Sequence, residues 1–200
     1  MTQVRKDFFS ILLFVWVVAA IPFLTQSGVV LNFVMMALFA CLIAQAWNVL
    51  GGFGGQFSFG HALFFGTGAY FQAIAQLSWG WSPWLALPAA MLMAALVGAW
   101  VGALSFRYGL KGSYFALVTL AFAEVFRIVC LSVPFTGAGV GLMLPLKESL
   151  GNMQFGSRAG FVWLILGLVT LALCVTAYLR NSRFGAYLLA VRDNEDAARA

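Results

Sequence analysis

The sequence predicts an all-α integral membrane protein, a polytopic helical bundle of about six spans with its amino terminus in the cytoplasm. Three observations predict it. From Phe8 through Leu179 only seven residues are charged (Arg107, Lys111, Glu124, Arg127, Lys147, Glu148 and Arg158), and five of them fall between long apolar runs. Hydrophobic residues make up 63% of the chain and its mean hydropathy is +0.96, too little polar side chain to wet a soluble surface of this size. The apolar runs approach or exceed the roughly 20 residues a helix needs to cross ~30 Å of hydrocarbon.

The spans follow in order at 8–24, 29–50, 61–77, 84–106, 113–133 and 161–179. The first, preceded by Arg5-Lys6, imitates a secretory signal with Ala19-Ala20 near a cleavage point. We read it as a retained helix, because further spans follow and it can itself reach across. In the fourth run Pro88 removes a backbone donor and predicts a bend. Gly98 and Gly102 give that helix a GxxxG pair, where a neighbouring backbone can approach. The connection 134–160 is glycine-rich, with room for a short helix lying at the surface. No soluble domain, linker or short repeat interrupts the chain, so 1–200 reads as one membrane domain whose part 180–200 is cytoplasmic. This orientation puts Arg5, Lys6, Arg107, Lys111, Arg180, Arg183, Arg192 and Arg199 inside and only Lys147 and Arg158 outside, as the positive-inside rule requires. The net charge of +5 is thereby explained as orientation signals, and a nucleic-acid surface is not expected.

Little in the chain suggests bond-making chemistry, and an enzyme is not expected. Cys41, Cys130 and Cys174 lie inside apolar runs without CxxC or Cys/His spacing. They read as small buried apolar groups, with no disulfide or metal chemistry. Gly137-Ala138-Gly139-Val140-Gly141 is a phosphate loop in appearance only, since it completes no GxGxxG and no GxxxxGK[ST] occurs. Any use of ATP then falls to a partner.

The most unusual stretch is Gly51-Gly52-Phe53-Gly54-Gly55-Gln56-Phe57-Ser58-Phe59-Gly60-His61. Each glycine costs a helix about 1 kcal/mol relative to Ala, yet no charge marks the stretch as exposed. Composition favours a tight cytoplasmic turn. The alternative is a broken helix lining a transport path, with Gln56, Ser58 and freed amides open to a polar solute, because irregular backbone at membrane depth survives only beside protein or a watery cavity. His61, the only histidine, has no metal or acid–base partner nearby in sequence and reads as a helix-start or hydrogen-bonded structural group. Glu124 and Arg127, near the middle of the fifth span, are spaced i, i+3 and can neutralise each other. A structural pair is favoured over a proton relay, because a carboxylate paired to arginine carries protons poorly. After the last span, Arg180-Asn181-Ser182-Arg183-Phe184-Gly185 leads into a strong helix former. It mixes an apolar side (Leu188, Leu189, Val191) with charge, and reads as a membrane-surface helix or a docking helix.

Three separated segments resemble the permease subunits of branched-chain amino acid ABC importers, the LivM-like type. Gly55-Gln56-Phe57-Ser58-Phe59-Gly60-His61, continuing to Gly66-Thr67-Gly68-Ala69-Tyr70, is similar to the family's Gly-Gln-Leu-Ser-Phe-Gly-His signature and the helix after it. Leu110-Lys111-Gly112-Ser113-Tyr114-Phe115-Ala116-Leu117-Val118-Thr119-Leu120 is similar to its Leu-Arg-Gly-x-Tyr-Phe-Ala-Leu-x-Thr-Leu pattern. Ser182-Arg183-Phe184-Gly185, with Ala190-Val191-Arg192-Asp193-Asn194-Glu195-Asp196-Ala197-Ala198-Arg199-Ala200, resembles the cytoplasmic loop that couples such permeases to their ATPases.

The resemblance implies a multi-pass permease of the bacterial inner membrane that moves branched-chain or similar amino acids. Its implied partners are a second permease subunit, two cytoplasmic ATPase subunits that use the ATP, and a periplasmic substrate-binding protein, with no cofactor in this chain. It makes Arg192, Glu195, Ala197 and Ala198 candidates for ATPase coupling, and Gln56, Ser58 and His61 candidates for the translocation path. Relatives often carry a polar pair in the outer loop that Thr136-Gly137-Ala138-Gly139-Val140-Gly141-Leu142 lacks. They also continue beyond the coupling loop with more spans, so the chain resembles the front portion of a permease. Two other readings stand beside this one: an ion-coupled secondary transporter or channel using Glu124, and a truncated subunit that only assembles with partners.

Overall fold

In the computed structural model, which describes residues 3–194, the regular elements are helices: α1 (Gln3–Leu24), α2 (Gly28–Asn48), α3 (His61–Ser78), α4 (Pro83–Arg107), α5 (Gly112–Ser132), α6 (Arg158–Asn181) and α7 (Arg183–Asp193). A β-bridge joins Ser149 and Gln154. Among the described residues, five stretches are long and apolar enough to cross a membrane: Val4–Leu24, Gly28–Phe53, Pro83–Arg107, Gly112–Ser132 and Arg158–Asn181. The protein is thus an all-α polytopic membrane protein. The expected span at 61–77 is a helix in its expected place but is not among the five. It has 18 residues, and Gln72 and Gln76 make it more polar. Both amides work within this region, Gln72 Nε2 donating to the Pro83 carbonyl (3.2 Å) and Gln76 Nε2 to the Gln72 carbonyl (3.3 Å).

The chain packs as two compact units, Met1–Gly55 with Phe155–Ala200, and Gln56–Gln154. In the first, α2 and α6 form the core. Leu31 and Leu38 stand two turns apart on one face of α2 and meet Val162, Leu166 and Val169 of α6, with Val15, Val18 and Ala19 of α1 packed alongside. A polar contact crosses this apolar seam, the Thr176 hydroxyl donating to Gln45 Oε1 (3.0 Å). Such bonds hold membrane helices together where apolar contact alone gives no advantage over lipid. Asp7 accepts from Arg180 (3.3 Å) and Asn181 (3.2 Å), which brings the start of α1 to the end of α6.

In the second unit α3 and α4 pack through small residues. Ala75, Ala86 and Ala90 are buried, and a methyl group at Gly68 would lie 3.6 Å from the Ala90 carbonyl oxygen. Ser82 caps α4, its Oγ accepting from the Leu85 N–H (3.4 Å), and Pro83 occupies the first turn, where its missing donor costs nothing. The GxxxG groove of α4 takes aromatic rings and not a backbone: Phe64 lies over Gly98, and Phe106 of the same helix lies over Gly102. The stacked rings of Phe106 and Phe115 (5.3 Å) and the edge contact of Trp100 with Phe122 (5.5 Å) bind α5 to α4. The connection after α5 holds two single 3₁₀ turns, Pro134–Thr136 and Leu150–Asn152, in place of a surface helix. Gly137 and Gly141 take left-handed φ values of 79° and 77° that stop a helix from propagating. Trp84 Nε1 pins the far turn through the Leu150 carbonyl (2.7 Å).

The cysteines are free thiols, and their placement corrects the expectation of burial: Cys41 and Cys174 are exposed on the chain, and Cys130 is half-buried. In a membrane helix an apolar residue can face outward as readily as inward, so position within an apolar run does not predict burial.

Candidate functional site

The glycine-rich stretch is longer than a tight turn. The α2 backbone runs on through one wide π-helical turn, Val49–Phe53, and residues 54–60 are then irregular until α3 starts at His61. Within the second unit this irregular backbone leans on α5. The Phe59 N–H donates to Thr119 Oγ1 (3.2 Å), and a methyl group at Gly60 would lie 2.5 Å from the Thr119 carbonyl oxygen. Thr119 lies seven residues into α5, ~10 Å along the axis at 1.5 Å per residue. The irregular backbone thus packs on protein, part-way along a helix that is long and apolar enough to cross a membrane.

Ser58 and His61 build this break. Ser58 is 3% exposed, and its Oγ accepts from the Gly60 N–H (3.2 Å). His61 Nδ1 lies 3.3 Å from the Ser58 carbonyl, and its ring stands edge-on to Phe64. Gln56 is placed differently: its Oε1 is buried and has no hydrogen-bond partner among the described residues. A buried carbonyl left in this way costs about 1–3 kcal/mol, so Gln56 is the path candidate with bonding capacity to spare.

Arg127 grips Glu124 with two bonds, Nε to Oε2 (2.9 Å) and a terminal nitrogen to Oε1 (2.6 Å). Both side chains are more than half exposed on this chain, 60% and 52%. The pair neutralises itself on an outward face of α5.

At the far end of the first unit, Ser182 turns the chain from α6 into α7. Its Oγ accepts from the Gly185 N–H (3.0 Å), and its hydroxyl reaches the Leu179 carbonyl (3.1 Å). Gly185 presses on that carbonyl so closely that no side chain would fit. Arg192 donates to the Gly52 carbonyl (2.9 Å) and to Asp193 Oδ1 (2.9 Å). Of the other coupling candidates, Glu195, Ala197 and Ala198 lie outside the described residues.

Sequence reasoning assigned no role to Thr119, Asp7, Gln45 or Thr176. The available signal was a hydrogen-bonding side chain within or beside an apolar run, but nothing local names its partner: Phe59 and Thr119 are 60 positions apart, Gln45 and Thr176 131.

Residues 29–200 match the family described as branched-chain amino acid transport system, permease component. Among curated proteins, the High-affinity branched-chain amino acid transport system permease protein LivM of Escherichia coli (strain K12) is 30% identical over 223 aligned positions, covering 100% of this chain and 52% of the relative. The protein of the same name from Salmonella typhimurium (strain LT2) is 29% identical with the same coverage. The chain spans about half the length of the curated relatives it matches. No solved structure matches it.

Proposed function

Because the chain belongs to the branched-chain amino acid transport permease family, we propose that it is a permease subunit of an ABC importer in the bacterial inner membrane. It moves branched-chain or similar amino acids. Separate cytoplasmic ATPases energise it, a second permease subunit completes the passage, and a periplasmic binding protein delivers the substrate. The amino terminus and the segment 180–200 face the cytoplasm, and the ATPases engage that segment through Arg192, Glu195, Ala197 and Ala198.

The observation that carries the reading is the irregular segment packed beside Thr119. A broken helix at membrane depth offers a solute what an intact helix cannot. The start of α3 directs its positive dipole end there, suited to a substrate carboxylate. Gln56 adds an unused carbonyl, while Phe57 and Phe59, both more than half exposed, offer apolar surface to a branched side chain. Ser58 and His61 hold the shape of the break.

The test is ATP-driven leucine uptake by the full-length protein with its partners. Gln56→Ala, which removes a hydrogen bond to a charged substrate group, and Ser58→Ala, which strands the Gly60 N–H, are each expected to slow uptake about tenfold, while the assembled complex still copurifies. Unchanged kinetics for both variants would remove the segment from the path. Uptake that collapses with the proton gradient and ignores loss of the ATPases would replace this reading with the ion-coupled one.

A further inference from the structure

Helix α7 is held at both ends, and by two different membrane helices. At its start, Ser182 and Gly185 lock it onto the Leu179 carbonyl of α6. At its finish, ~16 Å away for an 11-residue helix, Arg192 reaches the Gly52 carbonyl at 2.9 Å. That carbonyl belongs to the last turn of the continued α2 ladder, where acceptors run out of intrahelical donors and a cation also meets the negative end of the helix dipole. Asp193 takes a second bond from the same guanidinium and fixes its plane. The arginine stem occupies the space a side chain at Gly55 would need, and Gly55 holds a φ of +64° that favours glycine. The short helix thus braces the ends of α2 and α6, the two helices whose buried faces make the core of the first unit.

We propose that Arg192 is a positioning residue of the transport cycle, tying α7 to the carboxyl end of α2 just before the glycine break. The inference rests on the importer reading above. Displacement of α7 by an ATPase then reaches the break through one guanidinium–carbonyl bond, and Arg192 acts inside the permease and not only on its cytoplasmic surface. A lysine can keep one of the two bonds; an alanine keeps neither.

The experiment uses the full-length protein with its partner subunits in nanodiscs and reads two quantities. Amide hydrogen exchange over residues 49–55 is expected to quicken about tenfold in Arg192→Ala and to stay near the unaltered rate in Arg192→Lys. ATP hydrolysed per leucine transported is expected to rise severalfold in Arg192→Ala and to recover in Arg192→Lys, whereas simple loss of folded protein would lower hydrolysis and transport together. Unchanged exchange in Arg192→Ala overturns the proposal. So does quickened exchange with an unchanged ATP-to-leucine ratio, which would make the tie a local one. Uptake by the unaltered complex that needs no ATP overturns the importer reading, and the exchange result then still decides the contact.

Discussion

At Gly60 the constraint is space and not backbone angle. Its φ of −90° suits any residue, but a methyl group there would meet the Thr119 carbonyl at 2.5 Å and the Thr119 Cβ at 2.9 Å. Neither neighbour can yield, because one is helix backbone and the other is 2% exposed. Gly60→Ala is therefore expected to lower stability by about 1–3 kcal/mol, the usual cost of overpacking. Gly66 is the control: among the described residues nothing lies within 4 Å of its methyl position, and Gly66→Ala within α3 should cost nothing or gain up to ~1 kcal/mol. Thr119→Val should resemble Gly60→Ala, because it strands the Phe59 N–H, whereas Thr119→Ser keeps the acceptor. Thermal unfolding of the purified protein in detergent compares all four. Equal melting of the two glycine variants would mean that the break does not press on α5.

The elements divide by the range of the forces that set them. Five spans were legible because a long uncharged run has few fates other than crossing a bilayer. The packing of the break on α5 was not legible, since it rests on a contact 60 positions away and no local pattern reports it. The same holds for Arg192, whose carbonyl partner is 140 positions distant. The connection 134–160 had room for a short surface helix but holds only 3₁₀ turns, because Gly137 and Gly141 take a left-handed backbone that stops propagation. On α5 the spacing of Glu124 and Arg127 did foretell their two-pronged contact, but not its exposure. That exposure yields a prediction for the element. A charge alone near the middle of a spanning helix costs about 3 kcal/mol on insertion scales. Glu124→Gln should thus leave Arg127 uncompensated and reduce the amount of protein inserted in membranes. The double variant Glu124→Gln/Arg127→Gln, with no charge left to strand, should recover most of it. Membrane-fraction immunoblots read the difference. If the double variant inserts no better than the single, the pair does something other than neutralise itself.

For the whole molecule the decisive quantity is the side on which the cations lie. Of the 11 lysines and arginines, eight share one side if the amino terminus is cytoplasmic, and inverting the protein would carry all eight across against the positive-inside preference. A variant with Cys41, Cys130 and Cys174 replaced by alanine can carry single reporter cysteines at Lys6, Tyr108, Val140, Lys147 or Arg183. A membrane-impermeant maleimide applied to intact spheroplasts is expected to label the Val140 and Lys147 positions, and to reach the other three only after lysis. Labelling of the Arg183 position from outside would end the coupling role of α7, because no cytoplasmic ATPase could touch it. The packing of the first unit makes a separate demand: Asp7 bonded to Arg180 and Asn181 holds the start of α1 beside the end of α6, so the Lys6 and Arg183 positions must label alike whichever way the protein faces. A split between those two would count against the helix packing itself, while a joint reversal would count only against the orientation.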